Sequence, residues 1–358
     1  MQLNGQIDIP QQNLINIPLF DSEPDEALLA EIKQHIRETQ RPHTWRGHSH
    51  TKPPQGAFVV YCDEFNVAAP DTVERVAPCP CCNPFHPQYK NSGKVAWFPD
   101  EKVIRLIGPL CFKRINATGH ESALVELRKK MKARRELEVI KAHIPTIQAV
   151  IDSIDALVPI GEALDEFRDD FNRALDHDLN LPFFRAARMG VLTVAERTIV
   201  PVVRADGSVG QRVEERPTAF ATVVGYSMYD RSGPVAAKKR LAPLRSALVE
   251  IAARLSASGD LEKLSEAERV RFAESLPASR DKLAEVLEDA GAKQSFLTSG
   301  TIDTLAQWGR HPHALHQFSI QRKRNVIIMS SSRQRSEGHV TIRVPPEALA
   351  HLPSLPAI

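Results

Sequence analysis

The sequence predicts an α+β protein of several parts, and three observations carry that expectation. Cysteines cluster near a short β-hairpin. A long helical run with a 3.5-residue apolar repeat follows it. Val- and Thr-rich alternating segments then flank further helices. The expected divisions are an N-terminal module at 1–118, whose metal-binding segment spans 77–120, a helical stalk at 119–185, and a mixed domain at 186–358, in which an antiparallel sheet carries helices on one face. With 358 residues the chain has room for such parts.

In the first part, residues 1–20 read as an extended arm. "DSEPDEALLAEIKQHIRET" reads as a helix capped by Ser22, with Leu28, Leu29, Ile32 and Ile36 as its apolar stripe. "QRPHTWRGHSHTKPPQG" is a loop by its Pro, Gly and His content, and "AFVVYC" a short buried strand. "KVAWF" and "KVIRLIG" form a hairpin through "PDE".

The helical part begins at about Thr118. Leu137, Ile140, Ile144, Ile147, Ile151, Ile154 and Val158 alternate three and four apart, the spacing of a coiled-coil seam. Pro145 predicts a kink or a new start, and Pro159 with Gly161 predicts an end. A narrow stripe of this kind is buried either in an intramolecular hairpin or by pairing with a second chain, which makes a homo-oligomer an expectation. In the last part, "TIVPVVRADGSVGQRVEERPTAFATVVGYSMY" predicts a strand, a turn at "ADGS", a second strand and a third after Pro217. These are expected to share one sheet with "QFSIQRKRNVIIMSSS" and "HVTIRV". Three helices lie between, at "AAKKRLAPLRSALVEIAARLSASG", "SEAERVRFAESL" and "SRDKLAEVLEDAG".

Four of the five cysteines, Cys79, Cys81, Cys82 and Cys111, fall within 33 residues. Cys79 and Cys82 make a C-x-x-C, a spacing that brings two thiolates of a tight turn to one ion at about 2.3 Å. Cys111 follows the hairpin, and His120 lies at the start of the long helix, whose positive end favours nearby thiolate. The expected ligand set of a structural Zn2+ is Cys79, Cys82, Cys111 and His120, with Cys81, His86 and Cys62 as alternatives for the fourth place; without a metal, the same thiols would be buried reduced cysteines. Knuckle, hairpin and ligands near a helix N-terminus resemble the layout of treble-clef-like zinc modules, although eight residues separate the last two ligands. Pro78–Cys82 also matches the P-C-x-x-C half of the zinc deaminase signature. The H-x-E half is missing upstream, which favours a closed structural site over a catalytic one.

"RKKMKARR" places Arg128, Lys129, Lys130, Lys132, Arg134 and Arg135 just beyond this segment. A metal module feeding a basic helix can contact phosphates, so nucleic acid is the expected partner. The same cations could instead pair with Glu126, Glu136 and Glu138. "QRKRN" with Arg333 and Arg335 is a second basic patch. "HPHALH" reads as a surface or packing segment and "DHD" as the polar end of a helix. The formal charge of +2 confines any nucleic-acid contact to such local patches. No phosphate-loop, dinucleotide or serine-nucleophile motif is present. The expected function is therefore that of a non-enzymatic zinc-binding, DNA-binding protein. An assembly protein is the alternative, and an enzyme with an unrecognised site a second one. The start has no basic and apolar leader pattern, and no run approaches the roughly 20 apolar residues of a membrane span. The cytoplasm is the expected location, where reduced thiols read as metal ligands before disulfides.

Overall fold

A computed structural model describes residues 9–67, 77–81, 83–89, 92–175, 179, 183–186, 189–205, 207–229, 235–314, 317–331 and 339–357. Mixed helix and antiparallel sheet make it an α+β protein. Contacts divide the chain into two compact units, 1–135 and 136–358.

In the first unit, α1 (Glu26–Thr39) begins one turn later than the sequence suggested. Asp25, not Ser22, is the cap: its carboxylate accepts from the Leu28 amide at 2.8 Å. Leu29, Ile32 and Ile36 are buried, as the stripe requires. A three-stranded antiparallel sheet has the order β1 (Val60–Asn66), β4 (Ser92–Phe98), β5 (Val103–Ile107). The hairpin pairs Lys94 with Ile107 through to Phe98 with Val103, and every residue of β5 is buried, Arg105 included. The Arg105 guanidinium is held by both Glu101 carboxylate oxygens and by Thr51, which compensates its burial. A separate pair, β2 (Ala77–Cys79) and β3 (Asn83–Tyr89), carries the first cysteines.

The segment expected as a surface loop is instead built into this unit. His43, His48 and His50 are buried. The Asn13 side chain donates to the carbonyls of His43 and Trp45 at 2.8 and 3.0 Å, and Ser49 and Leu106 amides bond Ile104 and the His48 ring. Irregular backbone can be buried where such partners take its polar groups.

α2 (Ala117–His143) gives way at Ile144–Thr146 to a short 3-10 turn, and α3 (Ile147–Ala174) begins there, as Pro145 predicts. Pro159 and Gly161 do not end the helix. Pro159 lies on the exposed side, while Leu157, Ile160 and Leu164 stay buried across it. Gly161 makes a close crossing: a Cβ there would stand 2.4 Å from that of Ala237. Much of the predicted seam is buried in the second unit's own core, where Ile140, Ile147, Ile151 and Ile154 join Phe167, Phe171, Leu241 and Leu283, while Ile144 is exposed. Among the described residues it forms no coiled coil.

The second unit continues with α4 (Ala237–Ser258), α5 (Glu266–Phe296) and α6 (Ser299–Arg310). Two expected helices are one, because α5 runs through Pro277 with Phe272, Leu276, Leu283 and Val286 buried on both sides of it. Ser265 and Glu268 form a reciprocal capping box at its start. The strands do not make one sheet. β8 (Phe318–Lys323), β9 (Val326–Ser331) and β10 (Val340–Arg343) form one, and β6 (Leu192–Val203) and β7 (Val209–Ala221) form a separate two-stranded ribbon. β7 absorbs Pro217 and the expected third strand is absent.

One helical stretch, 117–174, holds a window long and apolar enough to cross a membrane by length and composition, which the sequence reading did not anticipate. Its apolar positions Ile147, Val150, Ile151, Ile154 and Leu157 line the core, and its exposed Asp155 pairs with Arg245 at 2.6 Å. A core helix of a soluble protein passes the same test.

Candidate thiol site

The β2–β3 turn places Cys79 at the end of β2, opposite Asn83. Cys111 opens the 3-10 turn Cys111–Arg114, which follows β5 directly and is anchored by Phe112 in edge-to-face contact with Phe98. Cys111 and Cys81 are the side chains that act most strongly on the Cys79 thiol, Cys111 as a donor to its sulfur and Cys81 as an acceptor from it. Cys79 Sγ also accepts the Gly108 amide at 3.2 Å. Amide-to-sulfur bonds of this kind favour thiolate and orient metal ligands. The described cysteines, Cys62, Cys79, Cys81 and Cys111, form no disulfide.

Electrostatics around Cys79 oppose one another. The Cys111 hydrogen bond is the largest single influence and lowers the pKa of its thiol. The Cys81 hydrogen bond and burial together outweigh it and leave the thiol well above its ordinary value. Without a cation the group is a neutral, buried SH.

Tyr61 on β1 points its hydroxyl at the same place. Its pKa is pushed up by burial and then by the fields of Cys81, Cys111 and Cys79. The hydroxyl stands 2.7 Å from His120 Nδ1, in the first turns of α2. His120 is buried, its pKa lowered chiefly by desolvation, and its Nε2 has no hydrogen-bond partner.

Of the expected ligands, Cys79 and Cys111 act on each other electrostatically, as does Cys81, an alternative for the fourth place. His120 bonds Tyr61, whose hydroxyl feels the fields of the three cysteines. Cys82 and the side chain of His86 lie outside the described residues. Cys62 stands apart: burial pushes its thiol up to about 12, and the charges acting on it are Glu23, Lys130 and Asp63. Among the described residues, no group of three or more His, Cys, Asp or Glu side chains is placed so that it could hold a metal ion.

The basic run divides between two sides of α2. Lys130 pairs with Glu23 at 2.5 Å and Arg134 with Asp63 at 2.9 Å, so both tie the helix to its own unit. Lys129 pairs with Glu126 at 2.9 Å. Arg128, Lys132 and Arg135 recur at i, i+4 and i+7 and are exposed, forming one stripe on another side. Glu136, a proposed partner of the run, is buried against Arg269 instead. Of the remaining polar motifs, Arg322 of the second basic patch bonds the carbonyl of Leu297, and His311 packs against Phe220. Residues 176–178, His316, Arg333 and Arg335 lie outside the described residues.

Tyr61 and Gly108 had no signal of their own in the sequence, since neither a strand tyrosine nor a turn glycine marks a site. The preference for Cys82 over Cys81 came from C-x-x-C spacing alone. No protein family, curated protein or solved structure matches this chain.

Proposed function

We propose that the first unit is a metal-stabilised module of a non-enzymatic binding protein, in which thiolates of the Cys79 cluster hold a structural Zn2+. The observation that carries this reading is that two buried thiols, Cys79 and Cys81, and the half-buried Cys111 act on one another, with an amide directed at the Cys79 sulfur. A cation bound there would remove the thiol protons and use the sulfur lone pairs. Cys79 and Cys111 are two ligands, and Cys82 completes the C-x-x-C pair, with Cys81 as its substitute. His120 is the proposed fourth ligand through Nε2, the ring nitrogen without a hydrogen-bond partner; joining the sulfurs would require the ring to turn away from its present bond to Tyr61. The knuckle, hairpin and helix start then have a treble-clef-like order. Reduced thiols at such a site suit a cytoplasmic protein.

A partner follows from the stripe of Arg128, Lys132 and Arg135. Three exposed cations on one helical side match the phosphates of a nucleic acid. Elemental analysis of the native chain tests the metal, with about one zinc per chain expected. Anisotropy of a labelled DNA duplex tests the partner. Binding should fall steeply with salt, and the triple change Arg128→Glu, Lys132→Glu and Arg135→Glu should abolish it while the zinc content stays the same. Zinc below stoichiometry, or DNA binding indifferent to these changes, overturns the corresponding half.

A further inference from the structure

The β6–β7 ribbon has two unlike sides. Residues paired across an antiparallel ladder share a side. One side therefore carries Arg197 with Glu215, Ile199 with Val213, Pro201 with Gln211, and Val203 with Val209. The other carries Glu196 with Arg216, Thr198 with Glu214, Val200 with Arg212, and Val202 with Gly210. The second is mostly polar, with Val200 and Val202 as its aliphatic residues. The first is aliphatic over its outer part and bare: Ile199 is 61% exposed, Val213 57%, and Val203 and Val209 71% each. Isolated two-stranded ribbons are marginal in water, and one this long with an uncovered aliphatic side needs a cover.

We propose that this side is a self-association surface, and that a second copy of this chain covers it. Three observations select that occupant. The only described charges on this side, Arg197 and Glu215, cancel and already touch at 3.0 Å, which offers nothing to a polyanion or an anionic bilayer. The pattern is self-complementary. A two-fold axis running along the ribbon lays Ile199 on the partner subunit's Val213, Val203 on the partner subunit's Val209, and Arg197 on the partner subunit's Glu215. Finally, Pro201 in β6 and Pro217 in β7 each remove an amide donor, which disfavours strand addition at the edges and leaves the side itself as the route. The area is modest. The bare stretch 197–203 is about 24 Å long at roughly 3.4 Å per residue. Its contact area is on the order of 500 Å² per copy, below the roughly 800 Å² of a standard interface, so the dimer is a reversible one with micromolar dissociation. This association is independent of the thiol site and of the stalk seam, much of which the core already buries.

Sedimentation equilibrium of the full chain from about 1 to 300 µM tests it. The expected result is a concentration-dependent rise from 39.8 kDa toward twice that mass. The double change Ile199→Asp with Val213→Asp should hold the chain at monomer mass, with its circular dichroism unchanged. Should that variant lose structure, the surface charges decide. Arg197→Glu alone and Glu215→Arg alone should each weaken the dimer, and mixing the two variants should restore it. A monomer throughout the range overturns the proposal. So does a dimer untouched by the aspartates, or two charge variants that associate no better together than apart. Binding of the monomer to anionic vesicles through this side would also overturn it, in favour of a lipid cover.

Discussion

Lys293 Nζ lies 2.8 Å from Asp165 Oδ1, and both groups are buried. Asp165 turns its other oxygen to the Ala237 amide at 2.7 Å, at the first residue of α4, so one carboxylate joins α3, α4 and α5. Lys293 is also 3.1 Å from Asp289, which Arg240 holds in turn. Lys293→Met leaves Asp165 charged with its main partner removed, and should cost roughly 3–5 kcal/mol. Adding Asp165→Asn should recover part of that loss. Urea unfolding of the single and double variants measures both; a loss below about 1 kcal/mol for Lys293→Met would show that the pair is not an internal lock.

Gly161 sets the approach of α3 to α4. Alanine favours a helix interior over glycine by about 1 kcal/mol. Here the added methyl would sit 2.4 Å from the Ala237 Cβ, and overpacking of that kind costs about 1–3 kcal/mol or more. The clash outweighs the propensity, so Gly161→Ala should lower stability, and Ala237→Gly in the same chain should restore most of it. Thermal unfolding of the pair checks the sign.

The buried histidines make the first unit acid-sensitive. Burial, then the fields of His50, Arg41 and His35, lower His43 from 6.5 to about 4. His48 is also held well below its ordinary value, by burial and then His50, His43 and Arg105. Between about pH 6.5 and 4 the unfolded chain therefore binds more protons than the folded one. The contribution is present in full above 6.5 and is lost as pH falls toward 4, which for His43 amounts to about 3 kcal/mol. Denaturant midpoints should fall across that window, and more gently in His43→Gln. A variant with the wild-type slope would contradict the assignment.

The elements legible in the sequence are those whose burial repeats with a clear period. Leu29, Ile32 and Ile36 mark α1, and two short apolar runs around a turn mark the β4–β5 hairpin. The helix breaks at Pro145, yet Pro159 and Pro277 fail as stops. A proline costs one backbone bond and some crowding, and the flanking core residues Leu157 and Ile160, or Leu276 and Leu283, outweigh it. The stalk seam was visible, but a stripe does not say which partner covers it, and the second unit's own helices do. Separate ribbons rather than one sheet were illegible, because strand pattern carries no pairing partner.

At the thiol site the sequence showed the cysteines and His120, and folding added Tyr61 and the Gly108 amide. Polar residues in a Pro- and Gly-rich stretch read as surface. Burial of His43, His48 and His50 depends instead on Asn13 and β5, which are distant in sequence.

Native mass spectrometry of the full chain, before and after chelation, tests the central claim most directly. The account predicts one zinc on the untreated chain. It predicts none on Cys79→Ser, and a loss of ordered structure within 57–120 when Cys82→Ser or a chelator removes the metal. A chain that carries no metal, with 57–120 equally protected from hydrogen exchange in the presence and absence of chelator, would contradict it.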